Sequence, residues 1–299
     1  MTLQLKASSF QRIFLATVLF SLQSLFLGNA QGGAIYCSDS NPAITNCDIN
    51  NNLGEWGGGG IYCDQSSPTI TNCMITNNSA TDSFLGNGGG IYCYWFSNPT
   101  ITSCVVADNV GLDGGGGVYC NYSSSPIITN CIIANNSTGQ GYDQNGGGVY
   151  CDQSSPTITN CMITNNAAYR GGGIFCDSDP TSNNTILWDN TASFSSGNQI
   201  YVDMGKTITL NCCNFADGAG DIAGLGTVQE NSCIRTDPQF VDAAVGNYRL
   251  QSTSPCIDIG NNSYVPAGVT IDLDGNPRMV DGNNDGTPTV DLGAYEYQP

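Results

Sequence analysis

Residues 58–78 read GGGIYCDQSSPTITNCMITNN, and residues 146–166 repeat them 88 positions later with a single change, Ile61 to Val149. Each copy holds three short runs of strand-forming residues: Ile61-Tyr62-Cys63, Thr69-Ile70-Thr71 and Met74-Ile75-Thr76. Gly, Ser, Pro and Asn separate them, as turn residues separate strands. Outward from this block, six segments line up between Gly32 and Cys176, starting with GGAIYCSDSNPAITNCDINNN and ending in a decaying GGGIFCDSDPTSNNTILWDN. Their period is 25 to 31 residues, too long for a hairpin. Their Gly, Asn and β-branched content is foreign to a helical repeat. Three strands per repeat and one repeat per turn predict an all-β parallel β-helix. About seven coils at the strand spacing of ~4.8 Å predict a rod of roughly 35 Å.

Alternation within a strand assigns the faces. With Ile61 and Cys63 inward, Tyr62 points out. Stacking turns each position into a column, so Ile35, Ile61, Ile91, Val118, Val149 and Ile174 form an inward one. Asn46, Asn72, Asn130 and Asn160, with Ser103 among them, fall at the bend between the second and third strands. Asparagine tolerates the left-handed conformation and bonds along a stack, so an asparagine ladder is expected there. The glycine triplets let the chain turn between coils. They recur in every coil and no lysine follows them, unlike a phosphate-binding loop.

The GGAI and GGGIYC units followed by ITNCMITNN resemble the right-handed parallel β-helix repeats of secreted bacterial proteins and the GGA-I repeats of polymorphic outer-membrane proteins. The second motif of the latter, Phe-x-x-Asn, occurs at Phe84 to Asn87, and their large C-terminal barrel is missing. The closing stretch, with DPQF, SPCID, DLDGNPR and VDLGAYEY, resembles the C-terminal region of bacterial surface proteins of the choice-of-anchor Q type. The resemblance implies a surface location. The expected organisation is a leader at 1–30, repeats at 31–235 and a C-terminal region at 236–299 that caps the open end of the solenoid.

The leader reading rests on Lys6 and Arg12, a long apolar run from Ile13 to Leu27, and small residues at Gly28 and Ala30. That is a secretory signal cut near Ala30, which leaves the first coil without an N-terminal cap. The chain carries a net charge of −18, and both leader charges are positive, so the mature chain is two units more negative. Nucleic acid and anionic membranes are poor partners for such a surface, and cations such as calcium better ones. There is no histidine. This excludes Ser-His-Asp and Cys-His catalysis and histidine-held metals.

Eleven of the fifteen cysteines fall in two columns, one from Cys37 to Cys176 and one from Cys47 to Cys161. Cys212, Cys213, Cys233 and Cys256 lie beyond them. In-register neighbours stand about 4.8 Å apart, longer than a disulfide prefers, so mostly reduced thiol ladders are expected.

Three surfaces are candidates for function. The first is the outward aromatic column, including Tyr62, Tyr92 and Tyr119, whose alternative role is stacking within the sheet. The second is the turn carrying Tyr94, Trp95 and Phe96, with Tyr122 in the next coil. The third is the pair of long loops with Asp82, Phe84, Tyr142 and Asp143. A calcium loop is a further candidate at Asp281, Asn283 and Asp285, with oxygen ligands at alternating positions and Gly286 sixth. Asp291 stands at position eleven, one short of the usual closing acid. The expected function is a secreted or cell-surface, non-enzymatic adhesion or binding protein for a polysaccharide or surface protein. The alternatives are a pectin-lyase-like polysaccharide lyase or glycoside hydrolase, and a structural spacer that associates end to end. No catalytic residue is assigned.

Overall fold

In the computed structural model, which describes residues 17–19, 25–26, 33–55, 57–81, 87–139, 144–193 and 197–299, each repeat forms one turn of a parallel β-helix. The coil that follows Gly60 carries Ile61–Asp64, Thr69–Thr71, Met74–Thr76 and Ser79–Ala80. The first three are the strands expected from the repeat. The fourth, two residues long, is too short to leave an alternation signal in sequence. Six coils carry all four strands, a seventh carries three and an eighth two. Coils stack residue on residue: Ile61, Tyr62 and Cys63 pair with Ile91, Tyr92 and Cys93, and these with Val118, Tyr119 and Cys120.

The inward columns form one continuous core. Ile61, Ile91, Val118, Val149 and Ile174 are wholly buried, and so are Cys63, Cys93, Cys120, Cys151 and Cys176. All fifteen cysteines are free thiols. Their Sγ atoms also serve the backbone: Cys73 N–H donates to Cys104 Sγ at 3.4 Å, and Cys104 N–H to Cys131 Sγ at 3.4 Å.

The asparagine ladder exists, but at a different corner from the expected one. Asn46, Asn72, Ser103, Asn130 and Asn160 do adopt left-handed backbone, with φ between 51° and 54°. Asn46 and Asn72, however, point outward and are exposed. The bonded ladder runs through Asn52, Asn78, Asn109, Asn136, Asn166 and Asn190, buried after the third turn. Each Nδ2 donates to the next Oδ1 at 2.8 to 3.0 Å, and the last to Gln199 Oε1 at 2.7 Å. The inward column must satisfy its amides without water along its whole length, and that obligation builds the ladder. At the expected corner a single rung forms among the described residues, Asn184 Nδ2 to Asn160 Oδ1 at 3.1 Å.

The glycine triplets serve the turn, with Gly88, Gly115, Gly146 and Gly171 left-handed at φ 58° to 68°, and they also answer to crowding. A Cβ on Gly59 would meet Gly89 O and stand 2.7 Å from Ser79 N, because the short fourth strand crosses there.

The C-terminal region does not cap the end of the solenoid as expected. It holds a hairpin, Phe240–Asp242 with Asn247–Leu250, and two single 3-10 turns among loops. It lies along the flank, where Phe240, Leu250, Leu292 and Tyr295 pack on Ile132, Met162 and Ile186 from the outer face of the third-strand sheet. Asn130 Nδ2 donates to Ile271 O at 2.8 Å, and Asn184 Oδ1 accepts from Asn261 N–H at 2.9 Å. That outer face is apolar in these coils, so a covering layer buries more there than at the tip. Ile222–Gly224 and Thr227–Asn231 therefore end their sheets, the latter largely exposed. At the other end, Thr17–Leu19 and Leu25–Phe26 pair antiparallel with two strands of the first coil, Ala43–Thr45 and Ile35–Ser38, while Asp48–Asn50 and Leu53–Gly54 end their sheets among the described residues. Among the described residues no helix is long and apolar enough to cross a membrane.

Candidate functional site

The aromatic column is real, and it is closed. Tyr36, Tyr62, Tyr92, Tyr119 and Tyr150 stack with centroids 4.6 to 5.1 Å apart, close to the coil spacing. Phe175 and Tyr201 extend it at 5.0 Å. Tyr62, Tyr92 and Tyr119 are 5 to 8% exposed. Neighbouring rings cover their faces, so these three offer no platform to a ligand. The column acts through packing within the sheet. Its hydroxyls are used as well: Tyr36 donates to Asp64 Oδ2 at 3.2 Å and Tyr119 to Asp152 Oδ2 at 3.0 Å.

The turn after the first strand is open. In three coils two residues separate the inward cysteine from the serine of the next corner, as Asp64 and Gln65 separate Cys63 from Ser66, and in the coil of Cys176 only Asp177 does. Those serines form a ladder of their own: Ser66 N–H donates to Ser97 Oγ, Ser97 N–H to Ser124 Oγ and Ser124 N–H to Ser154 Oγ, at 2.9 to 3.0 Å. Between Cys93 and Ser97, and between Cys120 and Ser124, there are three residues instead. Both ends are fixed by core and ladder, so the extra residue must bulge outward. Two consecutive residues turn left-handed in each coil: Trp95 at φ 48° and Phe96 at 61°, Tyr122 at 50° and Ser123 at 62°. The bulge raises Trp95, Phe96 and Tyr122 to 48, 61 and 49% exposure. Tyr94 links this group to the buried column. Its ring lies 5.6 Å from Tyr92, 5.4 Å from Tyr122 and 6.2 Å from Trp95, the last two edge-on. Tyr94, Trp95 and Tyr122 thus converge through their rings, Phe96 stands beside Trp95 on the same bulge, and the inserted residue is the signal that finds them.

Three of the four calcium candidates, Asp281, Asn283 and Asp285, share one loop, with Asn283 Nδ2 3.4 Å from Asp285 Oδ2, and Asp291 is not part of it. Asp281 accepts from Asp285 N–H and Gly286 N–H at 2.9 Å, and Asn283 Oδ1 accepts from Asp285 N–H at 2.8 Å. These oxygens hold their own loop. Asp291 is buried behind that loop, accepting from Asp258 N–H at 2.7 Å and Tyr297 N–H at 2.6 Å, and the Asp258 carboxylate joins the two by accepting from Asn283 N–H at 2.6 Å. The Asp291 carboxylate gathers with those of Asp258 and Glu296, within 4.8 Å of one another. Arg278, 1% exposed, supplies the countercharge: its Nη1 stands 3.7 Å from Glu296 Oε2, and its Nη2 donates to the carbonyls of Asp291 and Gly293. SPCID, DLDGNPR and VDLGAYEY each contribute to this knot, so their shared chemistry is that of holding the C-terminal loops together. Asp82, Phe84, Tyr142 and Asp143 lie outside the described residues.

The family described as right handed beta helix region matches residues 23–186, more than half of the chain. No curated protein and no solved structure matches it. With stacked parallel coils, inward aliphatic columns and this match agreeing, the chain belongs to the right-handed β-helix family.

Proposed function

We propose that the protein is exported and binds polysaccharide without transforming it, through Tyr94, Trp95, Phe96 and Tyr122. The observation that carries this reading is strain without burial. A left-handed backbone costs a bulky residue roughly 1–2 kcal/mol. Trp95, Phe96 and Tyr122 bear that cost and still leave about half of each side chain in water. Strain kept at an exposed position points to contact with something outside the fold. Rigid coils present the rings as a fixed surface, and flat aromatic faces match the apolar faces of sugar rings. Export follows from the leader, and the lack of catalysis from the missing histidine and the scarcity of bases in the repeat body.

The test is binding of the mature protein to a glycan array, followed by calorimetry with Trp95→Asn and Phe96→Gly. Both replacements suit left-handed backbone, so the fold is kept. Affinity is expected to fall about ten-fold or more, equal to ~1.4 kcal/mol. Variants that bind as tightly as the wild type would end the reading.

A further inference from the structure

The aromatic surface sits in an unusually one-sided electrostatic setting. Residues 31–169 contain nine acids and neither lysine nor arginine. Two of those acids flank the rings on the same turn. Asp64 pairs in register with Tyr94 in the coil before. Asp152 follows one coil after Tyr122 and pairs in register with Asp177. Both are held by tyrosine hydroxyls of the buried column, and Asp64 Oδ1 is buried with no partner. Burial raises the pKa of both carboxyls, a penalty that a nearby positive charge relieves. The first base along this turn is Lys206, three coils past Tyr122 and 3.4 Å from Asp177.

We infer that the ligand is a cationic polysaccharide whose sugars carry free amines, stacked on Trp95, Phe96 and Tyr122 with ammonium groups toward Asp64 and Asp152. This deepens the polysaccharide reading above and rests on it. Ring faces attract ammonium groups as well as sugar faces, so the same side chains serve both parts of such a ligand. Polyuronates and sulfated glycans meet repulsion from both flanks. A basic peptide is less suited, because the turn offers no free strand edge. Gln65 N–H donates to Tyr94 O, Phe96 N–H to Tyr122 O and Ser123 N–H to Gln153 O, so the backbone here is already paired. What remains open is ring surface.

The experiment measures binding of the mature protein to polyglucosamine, its fully N-acetylated counterpart, polygalacturonate and polylysine, in mildly acid buffer at low and high salt. Polyglucosamine is expected to bind about ten-fold tighter than the acetylated polymer, with the preference shrinking at high salt. Asp64→Asn and Asp152→Asn keep the bond to tyrosine and should erase that preference, whereas Trp95→Asn should weaken both polymers. Equal binding of the amine and acetylated forms overturns the cationic ligand and leaves the platform standing. No binding to any polysaccharide overturns both. Polylysine binding as tightly as polyglucosamine, with neither affected by Trp95→Asn, reduces the effect to net charge and overturns both.

Discussion

Met74 and Met162 occupy the same position of the duplicated block and belong to one column through Val105 and Ile132, yet Met74 is 53% exposed and Met162 is completely buried. The difference lies outside the repeat. The C-terminal region covers the outer face of the third-strand sheet at Ile132, Met162 and Ile186 and leaves Met74 uncovered. Met162→Ala should therefore cost about 2–4 kcal/mol. Met74→Ala should stay within ~0.5 kcal/mol. Urea unfolding of the two variants checks this, and equal losses would contradict the flank packing.

The bulged aromatics give an opposite expectation. Phe96 is in left-handed backbone and mostly exposed. Phe96→Gly should raise stability by up to about 1 kcal/mol while weakening the ligand. A loss of stability would mean that the ring is kept for packing. Paired denaturation and binding curves separate the two.

Much of this was legible because stacking makes sequence columns into spatial columns. Ile61 and Ile91 name their own neighbours, and the free thiols follow from the coil spacing alone. The aromatic turn was legible for a related reason: YWFSN breaks a pattern that DQSS keeps. What stayed hidden depends on contacts between distant segments. Nothing near Met162 announces its cover, since Met74 has an identical setting in sequence. Which asparagine faces inward depends on the exact bend of each corner, and the bend residues Asn72 and Asn160 share every sequence property of ladder members. The knot of Asp258, Arg278, Asp291 and Glu296 draws on three separate stretches whose loops carry no periodicity.

The ladder should be costly to break and its exposed look-alikes cheap. Asn109 Oδ1 accepts from Asn78 N–H at 2.9 Å and from its Nδ2 at 3.0 Å, while Asn109 Nδ2 donates to Ile75 O at 2.8 Å and Asn136 Oδ1 at 2.9 Å. Asn109→Leu leaves several buried groups unpaired, an expected loss of about 3 kcal/mol or more. Asn72, exposed and left-handed, should tolerate Gly within ~0.5 kcal/mol. Thermal melts of both variants decide it.

Thiol chemistry should single out Cys233. It is the one cysteine that is not fully buried, at the open end of its column. Its hydrogen bond with Cys213 outweighs burial and lowers its pKa to about 7. Burial instead pushes Cys47 up to about 11 and Cys256 up to about 12. Iodoacetamide near neutral pH is expected to modify one thiol in the native protein, and none after Cys233→Ser. In denaturant without reductant all fifteen should react. Near-zero reaction there would mean disulfides in place of the ladders.

The C-terminal knot should make stability fall as pH rises. Burial, reinforced by the Asp291 charge, pushes the Glu296 carboxyl up to about 9, and burial pushes Asp291 up to about 6. In the unfolded chain both return to about 4. The folded state therefore holds protons that the unfolded state releases, and the stabilisation is complete only below about pH 4. It declines as Asp291 ionises near pH 6 and again as Glu296 ionises near pH 9. The melting temperature should drop between about pH 5 and about 9, with the region beyond Thr236 becoming easier to cleave by protease. Glu296→Gln removes the later ionisation, so its melting curve should be flatter at alkaline pH whatever its absolute level. Parallel curves for the two proteins would remove Glu296 as the source of the pH dependence.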